Sequence, residues 1–274
     1  MEKRGTLRVL NPAYDLDRFF ADLGTARQRA LLLDYDGTLA PFRVERDKAV
    51  PYPGVRALLR AILEAGHTRL VVISGRAARD VIPLLGIKPH PEIWGSHGWE
   101  RLLPDGTYQP AELDVRFAQG LAAAQRWIAE HGLADRCELK PASLALHWRG
   151  LEPRTANKLH DTVMEHWSVL AQQTGLVPHA FDGGIELRAP GRDKGHAVET
   201  ILTEMGAGAV VAYMGDDLTD EDAFKALKGR GLGVLVRPEL RPTAADLWLQ
   251  PPEELRAFLA RWQHLAQPTP NPAD

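Results

Sequence analysis

The sequence predicts an α/β protein: a three-layer α/β/α, Rossmann-like core interrupted by one inserted α+β domain. Three observations carry this. Short, continuous apolar runs such as Leu31-Leu32-Leu33, Leu70-Val71-Val72-Ile73 and Val210-Val211-Ala212-Tyr213-Met214 have the pattern of strands buried on both faces of a parallel sheet. Residues able to do chemistry follow directly after these runs, where open α/β sheets place their ligands. Between them lies a stretch with a different rhythm, in which hairpin signals alternate with long helical ones.

Taken in chain order, a helix is expected around Leu16 to Leu23. Core strands are expected at Ala30 to Asp34, Arg69 to Ile73 and Glu92 to Gly95. In the inserted stretch, Asp105-Gly106-Thr107 reads as a hairpin turn, and Glu112 to His131 carries apolar residues at helical spacing. Cys137 to Lys140 and Ser143 to Trp148 alternate like strands, Ala156 to Gln173 is helical, and His179 to Arg188 forms a second hairpin. The core then resumes with strands at Val210 to Met214, Leu232 to Val236 and Asp246 to Leu249. A last helix, Glu253 to Leu265, starts after Pro251-Pro252 and presents Leu255, Phe258, Leu259 and Trp262 as a core-facing stripe. The expected division is 1–103 with 189–274 for the core and 104–188 for the insert, with a Pro-, Asn- and Asp-rich disordered tail at 268–274.

Four motifs occur in order. Asp34-Tyr35-Asp36-Gly37-Thr38 places a nucleophile and a proton carrier in one loop, and Gly37-Thr38 lets backbone N–H groups approach an anion. The same spacing also occurs in ordinary turns and in calcium loops. Ser74-Gly75-Arg76 offers a hydroxyl and amides for a phosphate oxygen, or caps the helix that follows. Lys194, in Gly191-Arg192-Asp193-Lys194-Gly195, supplies a compact ammonium. Gly215-Asp216-Asp217 brings acidic oxygen ligands suited to magnesium, whereas Asp220, Glu221 and Asp222 read as helix caps and dipole partners. Asp34 and Asp216 at adjacent strand ends would repel unless a cation lay between them, so a metal is expected.

This order of motifs, from Asp34 to Asp222, resembles the haloacid dehalogenase superfamily of phosphotransferases. The resemblance implies an aspartyl phosphate on Asp34, with Asp36 as general acid and base and Ser74 and Lys194 holding the phosphoryl group. Gly37, Thr38, Gly75 and Arg76 complete the expected phosphate cradle. Magnesium would be bound by Asp34, the Asp36 backbone carbonyl and Asp216, with Asp217 alongside. The core is thereby expected to be of haloacid dehalogenase type and the insert to be its substrate-specificity cap.

Three local segments resemble trehalose-6-phosphate phosphatases in particular: Glu138 to Arg149, with Glu-x-Lys and His-aromatic-Arg; Glu186-Leu187-Arg188 followed by Lys194-Gly195; and Gly95-Ser96-His97-Gly98-Trp99-Glu100. The resemblance implies that Glu138, Lys140, Arg149 and Glu186 face sugar hydroxyls, with His147, His97 and Glu100 as further substrate contacts. Trp148 departs from the Tyr or Phe more usual there. The expected activity is magnesium-dependent hydrolysis of trehalose 6-phosphate, with functional coupling to a trehalose-6-phosphate synthase. A phosphatase for a glycosylglycerate or glycosylglycerol phosphate, and a non-catalytic sugar-phosphate sensor, remain open alternatives.

Composition narrows the classes. With 274 residues and 45% hydrophobic content the chain can build two modest domains. A net charge of −3 gives no nucleic-acid footprint, and the single cysteine, Cys137, excludes an internal disulfide. No apolar run reaches membrane-spanning length and no leader is read at the start, so a cytoplasmic location is expected.

Overall fold

The computed structural model describes residues 8–43, 45–181 and 183–266, and the tail expected at 268–274 lies outside them. The chain divides into two compact units, 1–108 with 193–274 and 109–192. Each break falls a few residues after the expected one.

In chain order the elements are β1 (Arg8–Val9), α1 (Leu16–Thr25), β2 (Arg29–Leu33), α2 (Val55–Ala65), β3 (Arg69–Ile73), α3 (Ala78–Leu85), β4 (Glu92–Gly95), β5 (Glu100–Leu102) and β6 (Tyr108–Pro110). There follow α4 (Val115–Glu130), β7 (Cys137–Lys140), β8 (Ser143–His147), α5 (Pro153–Thr174), β9 (Val177–Phe181) and β10 (Gly184–Arg188). The chain then returns through α6 (Lys194–Met205), β11 (Val210–Gly215), α7 (Glu221–Leu227), β12 (Leu232–Val236), β13 (Leu247–Leu249) and α8 (Glu253–Leu265).

The first unit is built on a nine-stranded sheet in the order β1-β13-β12-β11-β2-β3-β4-β5-β6. Its middle is parallel, with Leu33 level with both Met214 and Val72. Alternate residues of each strand enter opposite cores. Leu31, Leu33, Val72, Met214 and Val234 pack with α1, α2, α3 and α8, while Leu32, Val71, Ile73, Val211 and Tyr213 pack with α6 and α7. Helices on both faces explain why these strands read as unbroken apolar runs. In α8 the predicted stripe is buried, and Phe258 and Trp262 meet Phe20 and Phe19 of α1 at 5.6 and 6.2 Å.

Two edge features were not anticipated. β1 is only two residues long and adds antiparallel to β13, too short to carry a periodic signal. The turn at Asp105-Gly106-Thr107 reads from the sequence as the start of the insert, whereas β6, the strand after it, joins β5 at the end of the nine-stranded sheet. An ion-pair network fixes this edge: Glu92 of β4 accepts from Arg69 and Arg101, both of which also bind Glu204 of α6.

The second unit is a four-stranded antiparallel sheet, β7-β8-β10-β9, with α4 and α5. Leu144, Leu146, Ile185 and Leu187 are buried and alternate with more polar positions along β8 and β10. α5 starts at Pro153 rather than Ala156, because proline is pre-set for a helix's first turn. Cys137 is a half-buried free thiol, and burial followed by the nearby Glu138 pushes its pKa up to about 11, so it is a poor nucleophile at neutral pH. Among the described residues, no helix is long and apolar enough to cross a membrane.

Candidate active site

The carboxyl ends of β11, β2 and β3 lie side by side and present Asp216, Asp34 and Ser74. Asp34 N–H donates to the Met214 carbonyl (2.8 Å) and Ser74 N–H to that of Trp94 (2.8 Å), so each residue is fixed by the last rung of the ladder. Asp34, Ser74 and Asp216 are all almost fully buried. The sheet therefore converges on one point the groups that the sequence strings over some 180 positions.

Lys194 is the first residue of α6, where an ammonium opposes the helix dipole. It is 3% exposed and is held there by two carboxylates, donating to Asp34 Oδ1 at 2.6 Å and to Asp220 Oδ1 at 2.7 Å. Burial pulls the Lys194 pKa down, but Asp220 and Asp34 outweigh it and hold the ammonium well above the ordinary lysine range. For Asp34, burial is the largest effect and pushes the carboxyl up to about 7; Lys194 opposes the rise and Asp220 and Asp36 add to it. Burial first, then Asp34 and Asp220, raise Asp216 well above the carboxylate range.

Oxygens of Asp34, Asp216 and Asp220 lie within 4.8 Å of one another. When all three carboxylates are ionised, one ammonium leaves two negative charges unmatched, which is the charge of a divalent cation. The donor set thus fits a hard metal ion. Within it, Asp220 is already saturated: Oδ1 accepts from Lys194 and the Tyr213 hydroxyl, and Oδ2 from the N–H groups of Asp216 (3.0 Å) and Asp217 (2.9 Å). Its lone pairs are committed to the scaffold, leaving Asp34 and Asp216 as the oxygens open to a cation. The expectation that Asp220 is a cap is accurate but incomplete, since the same carboxylate also anchors Lys194.

The resemblance sets Asp217 beside the metal ligands. Its side chain instead accepts from Leu218 N–H (2.6 Å) at the head of a short 3₁₀ turn and stands outside the acidic cluster. The physical reason is local: an Asp just before a helical turn has N–H groups within reach and needs no cation.

The loop after β2 is shaped around Asp216. Gly37 has φ +87°, and a Cβ there would lie 2.2 Å from Asp216 Oδ2. Thr38, expected in the phosphate cradle, is fully buried and donates to Asp216 Oδ1 at 3.3 Å. Gly37→Ala combines left-handed strain, about 1–2 kcal/mol, with displacement of a buried carboxylate. The expected result is a lower Tm together with loss of divalent-cation binding, read by thermal unfolding with and without Mg²⁺; a variant that kept both would show that Asp216 can shift freely.

Asp36 and Arg76 form a bidentate pair, Nε to Oδ2 at 2.6 Å and Nη2 to Oδ1 at 2.7 Å. Ser74 Oγ accepts from Arg76 N–H (3.1 Å), so its hydroxyl organises the Ser74-Gly75-Arg76 turn. His97 N–H donates to the Ser74 carbonyl and Ser96 N–H to that of Arg76, at 3.0 and 2.7 Å. To reach them, Ser96 and His97 both take positive φ, 51° and 56°, and a Cβ on Gly75 would come within 2.6 Å of the His97 ring. Strain held by a surrounding network marks functional loops. Glu100, grouped with the substrate contacts, is 4% exposed and accepts from Ala78 N–H, the Ser96 hydroxyl and the Tyr108 hydroxyl. It braces this loop.

Arg241 was not singled out from the sequence, yet it donates to the Asp217 carbonyl (2.7 Å) and the Asp216 carbonyl (3.3 Å) and pairs with Glu221. Tyr213 reads from the sequence only as part of a strand. Neither carries a motif; both are found only once α7 and the loop after β12 are folded beside β11.

In the second unit, Glu138, Ala145, Glu186 and His179 stand level across β7, β8, β10 and β9, which puts them on one sheet face. Glu186 is 2% exposed and accepts from Lys140 (2.9 Å), the Ser143 hydroxyl (2.6 Å) and Arg188 (2.7 Å). His147 Nε2 lies 3.2 Å from Glu138 Oε2. Arg149 packs across Gly183, where a Cβ would be 2.2 Å from its Cγ. The face is a pre-formed polar network.

Residues 32–250 match the model of a family described as trehalose-phosphatase. A trehalose-phosphate phosphatase of Mycobacterium marinum is 33% identical over 86% of this chain, which spans 62% of that relative's length. Among solved structures, the C-terminal domain of Candida albicans trehalose-6-phosphate phosphatase superposes with a TM-score of 0.73 at 23% identity, covering 94% of this chain and 99% of that one. A haloacid dehalogenase-like hydrolase of Bacteroides thetaiotaomicron gives 0.62 at 18% identity, covering 85% and 99%.

Proposed function

The chain belongs to the trehalose-phosphatase family, and from that membership we propose that it hydrolyses trehalose 6-phosphate to trehalose and phosphate. The observation that carries the reading is Asp34, a buried carboxylate at a strand end, bonded to Lys194 and 4.8 Å or less from Asp216.

In the proposed reaction an Asp34 oxygen bonds to phosphorus while the bond from phosphorus to the sugar oxygen breaks. Asp36 gives its proton to the departing alkoxide. Asp36 then takes a proton from water, which attacks phosphorus and frees Asp34 and phosphate. Lys194 screens the charge between nucleophile and phosphate, and the turn at Ser74 lies beside them on the next strand. The transition state is loose, with its charge on the equatorial oxygens, so position and positive charge supply most of the rate. Mg²⁺, held by Asp34, Asp216 and the Asp36 carbonyl, would supply that charge and lower the pKa of Asp34. With Lys194 as its cation, burial still leaves Asp34 at about 7, so a bound Mg²⁺ would raise the share of Asp34 that is ionised at neutral pH.

Sugar selection is assigned to the second unit's polar face, through Glu138, Lys140, His147 and Arg149, with Glu186 orienting Lys140. Charged groups suit a disaccharide because their hydrogen bonds to hydroxyls are about twice as strong as neutral ones. Phosphate release from trehalose 6-phosphate, glucose 6-phosphate, a glycosylglycerate phosphate and a glycosylglycerol phosphate tests this assignment. We expect the highest kcat/KM for trehalose 6-phosphate. A higher value for another glycosyl phosphate would keep the chemistry and overturn the substrate, and no turnover of any would favour the sensor.

The raised Asp34 and Asp216 also set a pH dependence. A carboxyl whose folded pKa lies above its unfolded value stabilises the fold below the ordinary carboxylate range and loses that contribution as pH rises through the folded value. Chelated protein is therefore expected to lose Tm between pH 5 and pH 8, with Asp34 titrating near 7. Added Mg²⁺ should raise Tm more at pH 8, where it meets carboxylates, than at pH 5, where it competes with protons. An equal shift at both pH values would place the cation elsewhere.

A further inference from the structure

We infer that Arg76 acts as a positioning residue for the proton-carrying carboxylate of Asp36 and does not bind the phosphoryl group. This rests on the phosphatase reading above and goes beyond it in giving the third residue of the Ser-Gly-Arg turn a task of its own.

The guanidinium forks onto Asp36 with one N–H on each carboxylate oxygen, at 2.6 and 2.7 Å, and so fixes both the position and the plane of the group. A third donor, Nη1, is tied to the Arg46 carbonyl at 2.8 Å, and the Tyr35 ring lies 5.8 Å from the guanidinium carbon. The Arg76 side chain is 8% exposed, while that of Asp36 is 25% exposed. Arg76's own backbone is held on both sides, its N–H by Ser74 Oγ and its carbonyl by Ser96 N–H. The clamp is therefore anchored to the strained Ser96-His97 loop, and the carboxylate is the more open member of the pair.

Asp36 has to serve two oxygens in turn, the departing alkoxide and the incoming water, and gains nothing from free rotation between them. A rigid fork limits that rotation, and a shift of about 1 Å in a reacting group costs up to roughly 10²-fold in rate. A phosphate bound by the same two-pronged fork would need Nε and Nη2. Here Nε and Nη2 are committed to Asp36.

The test is a double-mutant cycle with Arg76→Ala, Asp36→Asn and the pair, on trehalose 6-phosphate and, in single turnover, on p-nitrophenyl phosphate, whose leaving group departs without a proton. If Arg76 acts through Asp36, R76A lowers kcat on trehalose 6-phosphate by roughly 10- to 100-fold with little change in KM. Its further effect in the D36N background then stays within about two- to three-fold. Its effect on p-nitrophenol release is at least ten-fold smaller than on the sugar phosphate. Costs that multiply in the double variant, or equal losses on both substrates with raised KM, would make Arg76 a phosphate ligand and overturn the inference. Full turnover by D36N alone would instead remove Asp36 from the chemistry, which overturns this inference and leaves the phosphatase reading standing. Should R76A not fold, Arg76→Lys keeps the charge, cannot fork, and is read in the same way.

Discussion

Asp34→Asn is expected to abolish phosphate release, by on the order of 10⁴-fold or more, while the protein stays folded. The amide fills the same volume and can still face Lys194, but it has no anionic oxygen to attack phosphorus. Because Asp34 is buried among Lys194, Asp216 and Asp220, no other carboxylate can take its place without moving a strand end. The same change removes the negative charge of one of the two carboxylates open to a cation, so the Mg²⁺-dependent rise in Tm should shrink as well. Phosphate assay and thermal unfolding on one preparation read both effects. A variant that kept turnover would rule out the aspartyl phosphate.

Lys194→Ala carries the largest expected effect on stability. Breaking a buried ion pair from one side costs about 3–5 kcal/mol, because the partner is left charged and dry. Here two partners, Asp34 and Asp220, lose their cation. A fall in Tm of roughly 10 °C is expected at pH 8. The direction with pH follows from Asp34: Lys194 is the main group holding its pKa down, so without the ammonium the folded state binds a proton there more tightly. The deficit should then narrow as pH falls toward 5. A pH-independent loss would mean that packing, not charge, is what Lys194 supplies. Activity of Lys194→Ala should fall too, since the phosphate dianion would meet the unscreened Asp34 carboxylate.

The core strands were legible because each is buried on both faces, and a two-sided strand leaves a short unbroken apolar run that few other elements imitate. Asp34, Ser74, Lys194 and Asp216 were legible because each follows such a run or opens a helix, and a polar residue at that boundary stands out. What was missed has a common cause. Asp220 has two functions at one carboxylate, and a sequence shows only the nearer one, the cap. Arg241 and Tyr213 meet the site through tertiary packing with no spacing rule to announce it. Glu100 was grouped with substrate contacts for its neighbourhood in the chain, whereas its oxygens are taken by Ala78, Ser96 and Tyr108. The hairpin at Asp105 was seen as a turn, but nothing local says which sheet a hairpin extends.

Helix α6 is fastened at both ends. Lys194 binds the carboxylates at its start, Glu204 binds Arg69 and Arg101 near its finish, and Gly195 sits so close to α7 that a Cβ would lie 2.7 Å from the Asp222 carbonyl. The helix is therefore a measuring rod between two fixed marks, and its length in residues sets the geometry of the candidate site. Each residue turns the helix by about 100° and advances it 1.5 Å. Deleting one position between 196 and 203 would leave Glu204 moored and swing the ammonium to the wrong side of the axis. Point substitutions on the outer surface of α6 should be tolerated where a single-codon deletion is not, which makes its tolerance to insertion and deletion a sharper signature of function than its tolerance to exchange.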